Sequence, residues 1–298
     1  MMTQARAPLR VGLNVPIWVD SERDPVATAR NAELLGFDFV SVNDHLHGTG
    51  ARYESWTLMA WMAASTSSLA VASRVLAVPY RNPAVLAKMA ESFDRLSGGR
   101  LILGLGAGAS EEEFHAFGIP EAPMRDRITG LEEAIRILRG LWTAEPFTLA
   151  GAQHRTDAAV ADPMPDHAIP IWLGTYGPRG LDLLGRLADG WIASLELAPP
   201  ERAPGMLSRI RAGAERAGRD PEAITTVYNL VVSLDTATDH GPSVVSGRPD
   251  AVTERLAGFL DLGFNAFNLI VVGEAHDDQV EQLASEVLPA LRRQAERA

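Results

Sequence analysis

The chain has 298 residues, no cysteine and a formal net charge of -11, from 38 acidic against 27 basic side chains. The lack of cysteine removes disulfides, thiolate catalysis and Cys-ligated metals together, and an acidic balance with no basic stripe argues against nucleic acid as a partner. The opening MMTQARAPLR carries no apolar signal core and no stretch approaches a membrane span, so a cytoplasmic protein with no membrane partner is expected. Lys88 is the only lysine, a bias that suits a GC-rich genome.

Along the chain, short strand-like runs alternate with longer helical ones, the pattern of βα units around a parallel sheet. Strands are expected over residues 10–14, 37–42, 69–78, 101–105, 169–173, 190–195, 224–232 and 264–271. Several are apolar throughout, as when both faces of a strand are covered. Helices are expected over 25–35, 55–66, 83–96, 127–142, 178–187, 200–217, 249–262 and 277–293. Pro25, Pro83, Pro178, Pro200 and Pro249 stand in first turns, where the missing N–H costs nothing. Gly36, Gly98 and Gly263 stand where helices stop. Eight strands, each followed by a helix, is the count of a (β/α)8 TIM barrel, read here as one domain over 1–298. Loops 45–54 and 235–248 fall at the C-terminal face, where barrel active sites form, and loop 143–168 holds Phe147-Thr-Leu-Ala-Gly151, suited to a small added hairpin.

The stretch LILGLGAGASEEEF over 101–114 joins a strand to an acidic helix start through Gly104, Gly106 and Gly108. Such glycines either let a ligand approach the backbone beside a helix N-terminus or simply close a tight turn. Position 109 is Ala, so G-x-G-x-x-G is not matched, and no P-loop lysine follows. A second glycine loop, Gly174-Thr175-Tyr176-Gly177-Pro178-Arg179, offers backbone N–H groups, the Thr175 hydroxyl and the Arg179 charge to a phosphate; the alternative is an ordinary turn with Pro178 opening the helix. Asn43, Asp44 and His45 follow the second strand. His45 suits a general base tuned by an adjacent carboxylate, or a plain loop histidine beside a capping Asp44. His47 is two residues on with no third ligand, so no metal site is expected. Glu111, Glu112 and Glu113 read as helix-dipole partners facing solvent, Arg127 with Glu132 and Glu133 as a structural set on one helix, and Trp56, Met59 and Trp61 as core.

The run Pro79-Tyr-Arg-Asn-Pro83, then Phe93-Asp-Arg-Leu-Ser-Gly-Gly-Arg-Leu101, Gly104-Leu-Gly-Ala-Gly108 and Glu113-Phe-His-Ala-Phe-Gly118 resembles the bacterial luciferase-like monooxygenase superfamily. Residues 127–142, Ile169 to Gly174, Ala188-Asp-Gly-Trp191 and Glu286-Val-Leu-Pro289 continue the pattern in order across nearly the whole chain. The resemblance implies a luciferase-like TIM barrel, usually a homodimer, with the deazaflavin coenzyme F420 or reduced FMN at its C-terminal face. In the deazaflavin branch, Asp44-His45 would face the reacting ring. A non-prolyl cis peptide behind the ring would fall at Arg74–Val75, with Arg where a small residue is more common. The coenzyme phosphate would meet Gly174, Thr175, Tyr176, Gly177 and Arg179, and Gly106, Ala107 and Gly108 would lie along the ring or its side chain.

One departure is chemical. Sugar-phosphate dehydrogenases of this superfamily place a Glu directly after the fourth-strand Gly-x-Gly as proton donor; here the position is Ala109, with no substitute acid evident nearby and no Lys/Arg cluster for a second phosphate. The expectation is a coenzyme F420-dependent oxidoreductase passing hydride to or from a small-molecule organic substrate, with His45, oriented by Asp44, handling the proton. An FMN-dependent monooxygenase is the alternative, and a non-catalytic flavin-binding protein is the reading from another class.

Overall fold

The computed structural model describes residues 9–19, 23–236 and 240–297. From the N-terminal end run β1 (Arg10–Asn14), α1 (Pro25–Leu34), β2 (Phe39–Val42), α2 (Ser55–Ser65), β3 (Ala70–Ser73), β4 (Leu76–Ala77), α3 (Pro83–Ser97), β5 (Leu101–Gly106), α4 (Glu111–Ala116) and α5 (Met124–Leu141). A hairpin of β6 (Phe147–Ala150) and β7 (Arg155–Ala159) follows, then β8 (Ile171–Leu173), α6 (Pro178–Leu187), β9 (Gly190–Ser194), α7 (Ala203–Arg216), β10 (Thr225–Ser233), β11 (Val244–Ser246), α8 (Pro249–Asp261), β12 (Ala266–Val271), α9 (His276–Gln282) and α10 (Leu288–Ala295). Parallel pairing runs β1–β2–β3–β5–β8–β9–β10–β12 and returns from β12 to β1, closing an eight-stranded barrel. The helices form the outer ring, as the alternating pattern implied.

Period-two alternation sorts the side chains between the two faces of the closed sheet. Inside, Phe39, Ala72, Ile102, Trp172, Ile192, Val227 and Ala266 pack as their own cluster. Gly12 and Gly190 carry no side chain because Phe39 and Trp172 occupy the space a Cβ would need. Those two rings meet edge to face at 5.6 Å. The Arg10 guanidinium closes the N-terminal end at 5.6 and 5.9 Å from them, and burial lowers its pKa. Above this apolar floor lies a polar layer: Ser41 Oγ donates to Asn268 Oδ1 at 2.8 Å, Asn268 Nδ2 to Asn229 Oδ1 at 2.5 Å, and Asn229 Nδ2 to Ser194 Oγ at 3.4 Å. The C-terminal mouth is therefore polar where the floor is not, which suits it to bind a ligand.

Most expected elements stand within a few residues of their reading, with instructive exceptions. The strand expected over 69–78 is two strands, β3 and β4, separated by a cis peptide at Arg74–Val75 and followed by a 3₁₀ turn, Val78–Tyr80. The helix expected over 277–293 is broken by a π-helical turn at Leu283–Val287. The helix expected from Pro200 begins at Ala203, with Pro204 in its first turn. Loop 235–248, of which 237–239 lie outside the described residues, contains β11, paired with the far end of β10. Met59 is core, but Trp61 is 67% exposed. Arg127, Glu132 and Glu133 are no set: Arg127 lies over Phe114, Glu132 pairs with Arg136 and Arg186, and Glu133 accepts the Ala152, Gln153 and His154 N–H groups of the hairpin turn.

At the opposite, N-terminal face, Glu33 of α1 organises the entry to β3. One carboxylate oxygen accepts the N–H groups of Ser67, Ser68 and Leu69 at 2.8, 2.6 and 3.1 Å and the Ser68 hydroxyl at 2.9 Å. Burial pushes its pKa up, but these bonds outweigh it and bring it down to about 2. A folded-state pKa below the unfolded one stabilises fully above the unfolded pKa and is lost as pH falls towards the folded one. Glu33→Gln is expected to cost about 1 kcal/mol, discounted because the site is largely solvated. Thermal unfolding of both proteins from about pH 7 downward checks this: the gap should be full above about 4.5 and narrow towards about 2. A gap that widens on acidification would remove the assigned role.

Candidate active site

The loops after β5 and β8, with the β3–β4 connection between them, surround a cavity of about 640 Å³ at the C-terminal mouth, within the range of small-molecule and cofactor sites. Every residue the sequence nominated lines it: Asp44, His45, Arg74, Val75, Gly106, Ala107, Gly108, Gly174, Thr175, Tyr176, Gly177 and Arg179. The glycines there are not equivalent. A Cβ at Gly106 would lie 2.8 Å from Val75 Cγ2, and one at Gly174 would lie 3.0 Å from the same atom. Those two glycines make room for Val75, whose side chain is the wall the cavity sees. Gly108 takes φ +79°, and a Cβ there would meet the Phe114 ring at 2.7 Å. At Gly177 a Cβ would meet nothing within 4 Å, so protein packing does not demand a glycine.

Asp44 follows β2 and is buried. Its Oδ2 accepts from Arg81 Nη1 at 2.6 Å and the Ala77 N–H at 3.0 Å, and its Oδ1 from Arg81 Nη2 at 2.9 Å. Arg81 Nη2 also reaches Glu54 Oε1 at 2.6 Å. Burial works against the Arg81 charge, but the Asp44 bonds overcome it and raise its pKa. Glu54 in turn caps α2 through the Trp56 and Thr57 N–H groups at 3.0 and 2.7 Å. Asp44 is thus fully engaged in tying β2, β4 and α2 together, and no bond joins it to His45. The expectation that Asp44 orients His45 is corrected.

The carboxylate that holds His45 is Glu113. Its Oε1 lies 3.0 Å from His45 Nδ1 and accepts the His47 N–H at 3.4 Å, while the Tyr80 hydroxyl donates to Oε2. Burial first, then the Glu113 bond, pushes the Tyr80 pKa well above its ordinary value. Glu113 is buried, not solvated as the run of three glutamates suggested, and it is the nearby acid that the sequence did not reveal. Two signals pointed towards it. Ser110-Glu-Glu-Glu113 matches the S-x-x-E helix-start pattern, and Ser110 Oγ does accept the Glu113 N–H at 3.2 Å. Tyr80 and Arg81 stood inside the Pro79–Pro83 run without being singled out.

The other end of the cavity is built by the loop after β8. No side chain caps α6, so its first N–H groups lack the usual capping acceptor while Gly177, Pro178, Arg179 and Gly180 line the cavity. The Thr175 hydroxyl makes no hydrogen bond among the described residues, and Thr175 packs where a Gly180 side chain would stand. The Tyr176 hydroxyl accepts the Ser194 N–H at 3.1 Å. Arg179 is held at the rim, donating to the Arg125 carbonyl at 2.9 Å and Thr129 Oγ1 at 2.8 Å. An open glycine, an uncapped helix start and an unpartnered hydroxyl fit a phosphate group. Among the described residues no group of three or more His, Asp or Glu side chains is placed to hold a metal ion, and no helix is long and apolar enough to cross a membrane.

A family model described as luciferase-like monooxygenase matches residues 5–240. The F420-dependent glucose-6-phosphate dehydrogenase of Nakamurella multipartita is 27% identical, over 96% of this chain and 97% of its own. That of Gordonia bronchialis is 31% identical, over 76% and 69%. Among solved structures, an F420-dependent secondary alcohol dehydrogenase in complex with an F420–acetone adduct superposes with a TM-score of 0.85 at 20% identity, over 95% of this chain and 99% of that one; this likeness is one of fold.

The side chains of the Asp44–Arg81 pair are 0% and 13% exposed, so removing one partner strands a buried charge. Arg81→Met is expected to cost about 3–5 kcal/mol, measured by urea unfolding. Adding Asp44→Asn should recover part of that loss, so the double variant costs less than the sum of the singles. Strict additivity would show that the two groups do not act as a pair.

Proposed function

The chain belongs to the luciferase-like monooxygenase family, and from that premise we propose that it is a coenzyme F420-dependent oxidoreductase acting on a small organic molecule. The observation that carries this reading is a single cavity with a phosphate-fitting end at Gly174–Gly180 and a proton-handling end at His45 and Glu113. Relatives named as F420-dependent dehydrogenases, similar over most of their length, support the same coenzyme. Closure of the barrel between β1 and β12, near the two ends of the described chain, supports one luciferase-like domain over 1–298.

In this reading the Thr175 hydroxyl, the N–H groups around Gly177 and the Arg179 charge bind the coenzyme phosphate. Val75, backed by Gly106 and Gly174, forms the wall behind the ring, and Ala107, Gly108 and Tyr176 border it. F420, when bound, supplies or accepts a hydride at its deazaflavin ring. His45 then serves the substrate proton. With Nδ1–H donated to the Glu113 carboxylate, Nε2 is the ring atom that takes or gives it. Glu113 fixes the imidazole through Nδ1, and Tyr80 keeps Glu113 in place by donating to its second oxygen. Asp44 holds the strand end beneath His45 through Arg81. Ala109 has no proton to offer, so the proton burden falls on His45.

Fluorescence titration with F420 and, separately, FMN tests the coenzyme: tight binding of F420 with FMN weak is expected, and a preference for FMN would overturn the assignment. Gly177→Ala should leave the unfolding temperature unchanged, since the added Cβ meets no protein atom within 4 Å, yet weaken F420 binding by intruding on the cradle, and Gly177→Val should weaken it further. His45→Ala should bind F420 as the parent does and lose about 10²–10⁴ in kcat. Turnover at the parent rate would remove His45 from proton transfer.

A further inference from the structure

Arg74 is the least compensated charge in the cavity. It has the inward parity of Ala70 and Ala72 on β3, so its side chain enters the barrel mouth and does not join the outer ring. Its Nε donates to Asn14 Oδ1 at 3.1 Å, and Asn14 ends β1. On its other side the guanidinium couples electrostatically to Tyr176, which follows β8. In the closed ring, β1 and β8 are four strands apart out of eight and face each other. The Arg74 side chain therefore reaches from β3 to the end of β1 within the cavity that Tyr176 also lines. Burial lowers its pKa to about 10, which leaves it charged at neutral pH.

Among the described residues no carboxylate neutralises it. Asp44 is engaged by Arg81 and by the Ala77 N–H, and Glu113 by His45, Tyr80 and the His47 N–H. Among the described residues Nη1 and Nη2 of Arg74 have no hydrogen-bond partner, and neither is sealed from the cavity. A desolvated guanidinium with a single neutral partner is costly unless an anion completes it. Its two open N–H edges form the fork that matches a planar carboxylate.

We propose that Arg74 is the specificity-determining residue of this site and that the substrate is an organic acid whose carboxylate docks on Nη1 and Nη2. One fixed positive charge balances one carboxylate, whereas a phosphate dianion would leave a negative charge uncompensated over the apolar Val75 wall. The acid's reacting carbon then lies in the same cavity as His45. This rests on the oxidoreductase reading for its meaning, but its test does not.

The test is a binding measurement by calorimetry on the whole protein, saturated with F420 where F420 binds. Acetate is compared with acetamide and benzoate with benzamide, so that size does not decide the result. At least one acid should bind about 10- to 100-fold more tightly than its neutral amide. Arg74→Met should abolish that preference, read as the acid-to-amide ratio at whatever F420 affinity the variant retains. Arg74→Lys, which keeps the charge and loses the fork, should retain part of it. Equal binding of acid and amide by the parent would overturn the proposal. So would an Arg74→Met protein that loses F420 affinity but keeps the acid preference, and so would glucose 6-phosphate binding more than about tenfold tighter than both acids. If the parent fails to bind F420, the proposed function falls alone, and the acid-to-amide ratio still reads Arg74. The Lys variant keeps the measurement informative should the Met variant fail to fold, with circular dichroism as the check.

Discussion

The arrangement of charge at the barrel mouth turns on the Asp44–Arg81 ion pair. A buried carboxylate must be neutralised, and Arg81 does so through both oxygens while the Ala77 N–H takes a further lone pair. That choice settles the rest of the site. With Asp44 committed, the imidazole of the next residue, His45, turns to Glu113, and among the described residues Arg74 has no acidic partner. It also settles mechanics, because the pair joins the ends of β2 and β4 to the start of α2 through Glu54. A site whose imidazole and open guanidinium are both set by one ion pair is preorganised before any ligand arrives.

The glycines show how one residue type answers two physical demands. Read from sequence, each glycine loop is either a tight turn or a ligand cradle, and the structure divides these readings by position. Gly104, Gly106 and Gly174 are required by the protein itself, since Ser73 and Val75 fill the volume a side chain would use. Gly177 borders open space beside an uncapped helix. Only there does a ligand explain the residue better than the fold does. Val75 is the unforeseen actor: three glycines, two from β5 and one from the loop after β8, converge on one valine to give the cavity a smooth apolar wall.

Sequence patterning located the barrel because strand and helix periods differ and each βα unit carries its own capping signals. Prolines in first turns and glycines at helix ends held the helix bounds of α1, α3, α6 and α8 to within a residue or so. The misses lie where local pattern and long-range contact disagree. The run 69–78 reads as one apolar strand, yet its middle turns inward to place Arg74 and Val75. Glu111, Glu112 and Glu113 read alike, and only a partner 68 residues away in sequence makes Glu113 a buried acceptor while Glu112 stays exposed. Asp44 and His45 do line the cavity, but adjacency in sequence suggested a pairing that the structure does not make. Identity of a site residue was legible; the identity of its partner was not.

Two substitutions against the sugar-phosphate dehydrogenase pattern make sense together. A carboxylate directly after Gly108 would border the same cavity as Arg74, where it would neutralise the guanidinium or repel an acidic substrate. Ala109 removes that charge and leaves Arg74 as an open cation. A carboxylate stands instead one helical turn further on, at Glu113, where its oxygens are engaged by His45 and Tyr80. With the negative charge engaged at Glu113 and absent at position 109, Arg74 is the open charge that an organic acid would meet in the proposed reading. A neutral alcohol would gain little from that charge, whereas an organic acid would gain both an anchor at Arg74 and relief from repulsion at position 109.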